Sequence, residues 1–396
     1  MHRTTRRIIF SMGVALALAA VALADDAPSG AGAAAPATAS ADDGRAALLE
    51  LAFDAASAIP AEPHIKDRAR CQEAVVAACL ACERPDLALG WAGRIETWRR
   101  GSAYADLASH CARHGMTADA ERCVALASAA VESAEDWRKD RVKEKIARSS
   151  ALLAEAKARD AGTAEPSAPA IDDETFGRRL AALADAARMN DFERLRGELD
   201  ACVELHAALG GDAARRAALV AAIDRSWGTT PIALRVDVLA RLAADAAGCG
   251  AIDEAADLAD RAAALVDGAT WRPEDRLPID ARIAQLRLRA GQGERARAAL
   301  DAAVEAYGAA RTTIVDIDRA DVLRPLAEAA ATIKGPEAAA ALFRLAVDES
   351  MANPNGRPRA EDLCLTLCSM ARAGCTPDAA TWERVRGLVH GLGAPW

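Results

Sequence analysis

The stretch that decides the fold is LAADAAGCGAIDEAADLADRA, which spans residues 242–262. It opens with a large apolar residue followed by a small one, reaches a glycine at Gly250, and continues with small residues at Ala255 and Ala262. Small residues at facing places allow two helices to pack closely. The stretch therefore predicts a pair of helices joined by a turn at Gly250.

The same spacing returns further along the chain. The apolar residue that opens the pattern recurs as Ile283, Leu326 and Leu367, at successive shifts of 41, 43 and 41 residues. Looser copies begin around Val75 and Leu107 in the N-terminal half. A single pair of helices cannot bury its own apolar faces, so the repetition predicts that successive pairs stack on one another.

Composition agrees with a helical chain. The 396 residues are 52% hydrophobic but only 4% aromatic, and 27% are charged. The mean hydropathy is −0.01, which fits an apolar share made mostly of alanine. Alanine favours helices and is depleted in strands, and no Val/Ile-rich buried strand runs occur, so a large β-sandwich or a doubly wound α/β enzyme is disfavoured. The predicted fold class is all-α, an α-solenoid of stacked antiparallel helix hairpins.

The repeat spacing resembles that of the tetratricopeptide repeat family, in a form lengthened to about 41 residues from the usual 34. The resemblance extends over about residues 231–396, and the aromatic residues that the family usually carries are mostly missing. The core places of the motif correspond to Leu242, Ala243, Gly250, Ala255 and Ala262. The resemblance implies that the first helices of the hairpins line a concave groove in which a peptide or protein partner binds.

In that register, the groove carries side chains suited to hydrogen bonding and to gripping carboxylates. The residues expected to bind a partner are Arg282, Gln285, Arg289, Arg324, Glu328 and Arg372. A net charge of −9 and the lack of a long basic stretch disfavour a nucleic-acid partner.

The N-terminus has the pattern of a secretory signal peptide. Arg3, Arg6 and Arg7 precede an uncharged apolar run, and Ala22-Leu23-Ala24 fits a small-x-small cleavage site. We expect cleavage near Ala24, export to the periplasm or the extracellular space, and no membrane span afterwards. The predicted divisions are a signal peptide at 1–24, a flexible tether at 25–42, an N-terminal helical-repeat array at 43–160, a linker at 161–173 and a C-terminal array at 174–396.

One group of side chains suggests a different chemistry. Cys79 and Cys82 lie near the end of one first helix, and His110 and His114 lie at the corresponding places on the next. Thiolate and imidazole ligands at such spacing suit Zn²⁺ or copper, and the two cysteines could instead form a redox pair. Burial of the cysteines as small apolar core residues is the simpler interpretation.

No established catalytic motif occurs in the chain, so we expect a protein that is not an enzyme and has no cofactor. The function that the sequence favours is a non-enzymatic scaffold for protein–protein contacts. The first alternative is a metal- or redox-active envelope protein built on the four residues just named. A second is a helical hydrolase that uses groove carboxylates such as Asp321 and Glu328.

Overall fold

A computed structural model describes residues 41–132, 136–161, 171–189, 191–228 and 230–396. The predicted signal peptide, most of the tether, and the middle of the predicted linker lie outside these residues. Within them the chain is all-helical, with seventeen helices and no strand, as predicted. In chain order the helices are α1 (Ala41–Ala58), α2 (Ala61–Ala81), α3 (Pro85–Ala92), α4 (Arg99–Arg113), α5 (Thr117–Glu132), α6 (Asp136–Asp160), α7 (Asp173–Met189), α8 (Phe192–Leu209), α9 (Ala213–Ser226), α10 (Ile232–Gly248), α11 (Ile252–Asp267), α12 (Pro273–Arg289), α13 (Gly293–Ala310), α14 (Asp316–Ile333), α15 (Pro336–Ser350), α16 (Gly356–Arg372) and α17 (Ala379–His390).

The stretch that opened the sequence analysis forms the hairpin of α10 and α11. Gly250 adopts a φ of 77°, a left-handed conformation that ends a helix and that glycine adopts without a steric penalty. The next residue closes the turn, because the Ala251 amide donates to the Ala246 carbonyl at 2.8 Å. The predicted packing residues Leu242, Ala255 and Ala262 are fully or almost fully buried. The small residues therefore lie where the two helices meet.

The chain folds into two compact units. Unit 1 takes in Met1–Ala161 together with Pro354–Trp396, and unit 2 is Gly162–Asn353. None of the helices in the described ranges combines the length with the uncharged apolar stretch that a membrane crossing requires.

In unit 2, the first helices of successive hairpins pack side by side. α8 contacts α10, α10 contacts α12, and α12 contacts α14, while α9, α11, α13 and α15 pack as their second helices. We name the exposed surface of α8, α10, α12 and α14 the first-helix face.

The pairing at the start of unit 2 differs from the sequence prediction. Leu183 and Ala184 repeat the large-small pair of a first helix, so the sequence favours a hairpin over 176–209 and an additional helix over 213–227. Instead α8 packs beside α10, and α7 packs against both α8 and α9. The extra helix is therefore α7. It carries the large-small apolar pair of a first helix, but α8 is the helix that packs on α10 and continues the row of first helices.

The last hairpin also departs from the expected register. Counted from Leu367, the repeat spacing predicts inward positions at Ala380 and Arg384, the counterparts of Ala255 and Ala259, but both residues are exposed. The buried residues of α17 are instead Thr381, Val385 and Val389. The left-handed Gly374 is followed by a longer connection, and α17 begins only at Ala379 after its cap Asp378. The longer connection moves the inward face one position along the helix.

Unit 1 joins the two ends of the described chain. α2, α4 and α6 pack in a row, with α3 and α5 against them, and α16 packs on both α1 and α2. Both α1 and α16 carry fully or almost fully buried apolar side chains, among them Leu49 and Phe53 of α1 and Leu363 and Leu367 of α16.

Polar contacts reinforce this junction. Arg70 of α2 pairs with Glu361 of α16 at 3.1 Å, and the Cys364 thiol lies 3.8 Å from the Cys71 carbonyl oxygen. The sequence predicted that residues 354–396 belong to the C-terminal array, whereas the structure places them in unit 1. Residues 354–396 belong with the N-terminal helices, because their apolar faces are buried against α1 and α2.

Candidate functional site

Five of the six predicted partner-binding residues lie on α12 and α14, two neighbouring first helices of unit 2. On α12, Arg282 and Gln285 are half-buried and Arg289 is exposed near the end of the helix. On α14, Arg324 and Glu328 are half-buried. Because α12 and α14 pack together, the structure brings these five residues onto neighbouring helices.

Two of these arginines are already engaged by acids of the same unit. Arg282 donates to Asp237 of α10 at 2.7 Å, and this contact ties one first helix to the next. Arg324 forms an ion pair with Asp321 on its own helix. A partner carboxylate would have to compete with these internal acids, whereas Arg289 is the most exposed arginine of the three.

Arg372 does not join the other five. It lies at the end of α16, in unit 1, whereas the remaining predicted residues lie in unit 2. The six residues therefore do not line one surface of a single compact unit. The repeat spacing placed Arg372 in register with them because α16 has the same internal pattern, although it packs elsewhere.

Unit 2 also contains a cavity that the sequence analysis did not identify. It has a volume of ≈ 500 Å³, within the range of small-ligand sites, and lies among α11, α12 and α13. Its lining is formed by Ala263, Asp267, Trp271, Pro273, Arg276, Leu277, Asp280, Ile283, Arg287, Ala299, Ala302, Ala303, Ala306 and Ala310. Burial raises the pKa of the Asp280 carboxyl despite the neighbouring Arg276 guanidinium. The only sequence signal for this space is the excess of alanine on α13.

In unit 1, two histidines converge with a glutamate. His110 lies in the last turn of α4 and His114 directly follows that helix. Their rings stack with centroids 4.3 Å apart, and the Nε2 atom of each lies 3.6 Å from Oε2 of Glu83. Among the residues that the structure describes, Glu83, His110 and His114 form a group whose ligand atoms all lie within 4.8 Å of one another. We name this group the His-Glu cluster.

The cluster lies where local structure fixes each member. Residues four apart on a helix share a face, which explains why His110 and His114 meet. Glu83 belongs to the short connection between α2 and α3, and it adopts a left-handed backbone with a φ of 56°. This conformation costs a non-glycine residue roughly 1 kcal/mol.

The three side chains differ in exposure and charge. His110 is buried, whereas 46% of the His114 side chain and 63% of the Glu83 side chain are exposed. Burial, and next the charge of His114, lower the pKa of His110 below its usual value, and Glu83 offsets this only in part. The lowered pKa favours the neutral imidazole, which is the form that binds metal ions.

The predicted metal ligands are thus only partly brought together. The histidines converge, but the acid beside them is Glu83 rather than Cys82. Burial raises the pKa of the Cys82 thiol, and the Arg45 and Arg372 guanidinium groups offset this only in part. The sequence paired Cys82 with His114 through their 32-residue spacing. Adjacent residues in a turn point their side chains in different directions, so this spacing could not show that Glu83, and not Cys82, faces the histidines.

Cys79 lies in the core. It is fully buried, and burial raises the pKa of its thiol, with a further increase from Cys368 of α16. A thiol with a raised pKa is a poor nucleophile and a poor metal ligand at neutral pH. The structure thus places Cys79 as the small apolar core residue that the simpler interpretation described.

His206 has acid partners that sequence reasoning missed. It is fully buried on α8, and its Nε2 atom lies 3.1 Å from Glu254 of α11. The Nε atom of Arg216, from α9, donates to the other oxygen of Glu254 at 3.0 Å. Burial alone would raise the pKa of Glu254, but the hydrogen bonds from Arg216 and His206 lower it below the usual range. These residues lie 38 and 48 positions from Glu254, so only the pairing of α8, α9 and α11 reveals the network.

The two carboxylates of the predicted helical hydrolase, Asp321 and Glu328, both lie on α14. Asp321 forms an ion pair with Arg324, and Glu328 lies two turns later on the same helix.

In comparisons with known proteins, no protein-family model matches the chain and no curated protein matches it.

Proposed function

We propose that the protein is an exported, non-enzymatic scaffold that binds a peptide or protein partner on the first-helix face of unit 2. The observation that carries this proposal is the side-by-side packing of α8, α10, α12 and α14. Such a row presents equivalent positions of successive repeats at regular intervals, which suits an extended or helical polypeptide. Export is part of the proposal on the strength of the N-terminal sequence alone.

The chemistry of the face favours a partner with carboxylates. Arg289 is exposed at the end of α12, and Gln285 lies one turn before it on the same helix. Guanidinium groups form paired hydrogen bonds with carboxylates, and a glutamine side chain can donate and accept hydrogen bonds along a peptide backbone. Arg282 donates to the partly exposed Asp237 of α10, an acid that a partner carboxylate would have to displace.

The test is an affinity capture from native envelope extract, read by mass spectrometry, with four baits. They are the full chain, Arg289→Glu on the first-helix face, Arg276→Glu at the cavity, and Arg297→Glu on the exposed side of α13. All three variants make the same change of charge, so they separate a local contact from a general electrostatic effect.

We expect a discrete polypeptide that the full chain, Arg276→Glu and Arg297→Glu capture and that Arg289→Glu does not. Loss with Arg276→Glu alone would move the binding site to the cavity. Failure to capture any polypeptide, or capture by all four baits alike, would contradict the proposal.

A further inference from the structure

The His-Glu cluster has the ligand set of a divalent transition-metal site. Two imidazole nitrogens and one carboxylate oxygen are common ligands of Zn²⁺, whereas Ca²⁺ and Mg²⁺ prefer oxygen ligands throughout. Three protein ligands leave one position of a tetrahedral metal open to water or another group. The ligand types therefore select Zn²⁺ and its neighbours in the first transition row.

The spacing of the three atoms also fits. Two ligands bound to Zn²⁺ in a tetrahedron lie about 3.4 Å apart, given metal–ligand bonds of about 2.1 Å. Oε2 of Glu83 lies 3.6 Å from Nε2 of His110 and 3.6 Å from Nε2 of His114. Both distances exceed that of a hydrogen bond, so neither ring nitrogen is bonded directly to the carboxylate. The ligand atoms of the three residues lie within 4.8 Å of one another, and rotation of the histidine rings out of their stacked arrangement would turn both nitrogen lone pairs toward one ion.

The position of the cluster in the fold favours a cation. His110 and His114 lie at the C-terminal end of α4, where the helix dipole places partial negative charge. The glutamate adds a full negative charge and is held there by a backbone conformation that few glutamates adopt. Because His114 and Glu83 remain partly exposed, an ion can reach the cluster from solvent.

We propose that Glu83, His110 and His114 bind one divalent transition-metal ion, with Zn²⁺ as the representative ion. This site is independent of the first-helix face, since it lies in unit 1. It also differs from a cysteine-based site, because its third ligand is the Glu83 carboxylate and not the neighbouring Cys82 thiol.

The test is calorimetric titration of Zn²⁺ into the full chain, first treated with a chelator and kept reduced. Two variants remove exposed ligands, Glu83→Gln and His114→Ala, and their far-ultraviolet circular dichroism checks that the fold is kept. Two controls are matched to them. Cys82→Ser changes the adjacent residue in the same turn, and His390→Ala removes an exposed histidine at the C-terminal end of another helix, α17.

We expect one Zn²⁺ per chain, at least about tenfold weaker binding in Glu83→Gln and in His114→Ala, and unchanged binding in both controls. With Co²⁺ as a spectroscopic substitute, we expect ligand-field bands in the visible spectrum without the near-ultraviolet band of a thiolate ligand. Absence of saturable binding, equal affinity in Glu83→Gln, or loss of binding in Cys82→Ser would each overturn the proposal.

Discussion

Glu83 is the residue at which backbone preference and side-chain chemistry disagree. Its φ of 56° lies in the left-handed region, where asparagine and glycine are favoured and glutamate is not. Its carboxylate, however, faces both histidines of the cluster. A residue that costs stability where it offers a ligand is typical of a functional position.

This disagreement can be measured with Glu83→Asn. Asparagine tolerates the left-handed backbone, so we expect the metal-free chain to gain about 0.5–1 kcal/mol in free energy of unfolding. The same variant is expected to lose most of its Zn²⁺ affinity, because the anionic ligand is gone. Urea unfolding and zinc titration measure the two effects.

Glu83→Gln is the control for the loss of charge. Glutamine lacks the negative charge and, like glutamate, does not favour the left-handed backbone. The free energy of unfolding of Glu83→Gln should therefore stay within about 0.5 kcal/mol of that of the parent chain. If Glu83→Asn and Glu83→Gln had the same free energy of unfolding, the left-handed backbone would not explain the gain expected for Glu83→Asn.

At the scale of helices, the network around Glu254 links three helices of unit 2. This carboxylate connects α11 to Arg216 of α9 and to His206 of α8, and both partners are buried. Loss of the carboxylate would leave the Arg216 charge buried without its acid. Breaking a buried pair in this way costs far more than losing a surface pair.

We expect Glu254→Gln to lower the free energy of unfolding by about 3 kcal/mol at neutral pH. Asp253→Asn, which removes an exposed charge from the same turn, should change it by less than about 0.5 kcal/mol. Urea unfolding of both variants gives the comparison, and equal effects would show that only net charge matters.

The pH dependence of this network follows from the lowered pKa of Glu254. A carboxyl whose pKa is lower in the folded chain stabilises the fold fully above its unfolded pKa of about 4.3. That stabilisation is lost as the pH falls through the folded pKa. The difference between the parent chain and Glu254→Gln should therefore narrow below about pH 4, and a constant difference would contradict this reasoning.

The ion pairs between neighbouring first helices are a weaker element-scale feature. Arg282 and Asp237 are each more than one third exposed, so solvent screens their attraction. We expect a double-mutant cycle of Arg282→Ala and Asp237→Ala to give a coupling energy below about 1 kcal/mol. A coupling of several kcal/mol in urea unfolding would mean that Arg282 holds the repeats together and is not available to a partner.

The sequence predicted local helix pairs better than it predicted how they assemble. The small residues at Ala255 and Ala262 and the glycine at Gly250 were sufficient for α10 and α11, because packing and turn geometry act over a short stretch. The inward face of α17 was misjudged, since one longer connection moved Val385 inward. The third member of the His-Glu cluster was also missed, because the direction of a side chain in a turn depends on its backbone angles and not on repeat spacing.

On the scale of the whole molecule, the chain returns to its N-terminal helices at its end. Residues 354–396 complete unit 1, and unit 2 is formed by the residues between. Internal similarity could not predict this, because a repeat pattern shows which helices form hairpins but not which distant helix covers an exposed face. α16 matches the repeat as well as α14 does, yet it packs on α1 and α2.

A chain that ends at Asn353 is therefore expected to lose stability in its N-terminal part. Hydrogen exchange should become faster in α1 and α2, whose apolar faces would be exposed, and should stay unchanged in α10–α13. Leu367→Ala, which truncates a fully buried side chain of α16, should lower the free energy of unfolding by about 3 kcal/mol. It should also speed hydrogen exchange in α1 and α2, but less than the truncation at Asn353 does. Faster exchange spread evenly over both units would contradict the division into units.

The contact between α16 and α1 also determines the order in which the protein can fold during synthesis. Unit 2 has left the ribosome in full while the N-terminal helices still lack the segment that covers them. Domains usually fold from the N-terminus as they emerge, but here the earliest helices must wait for the latest ones. A stop codon late in the gene would therefore damage the half of the protein that was made first.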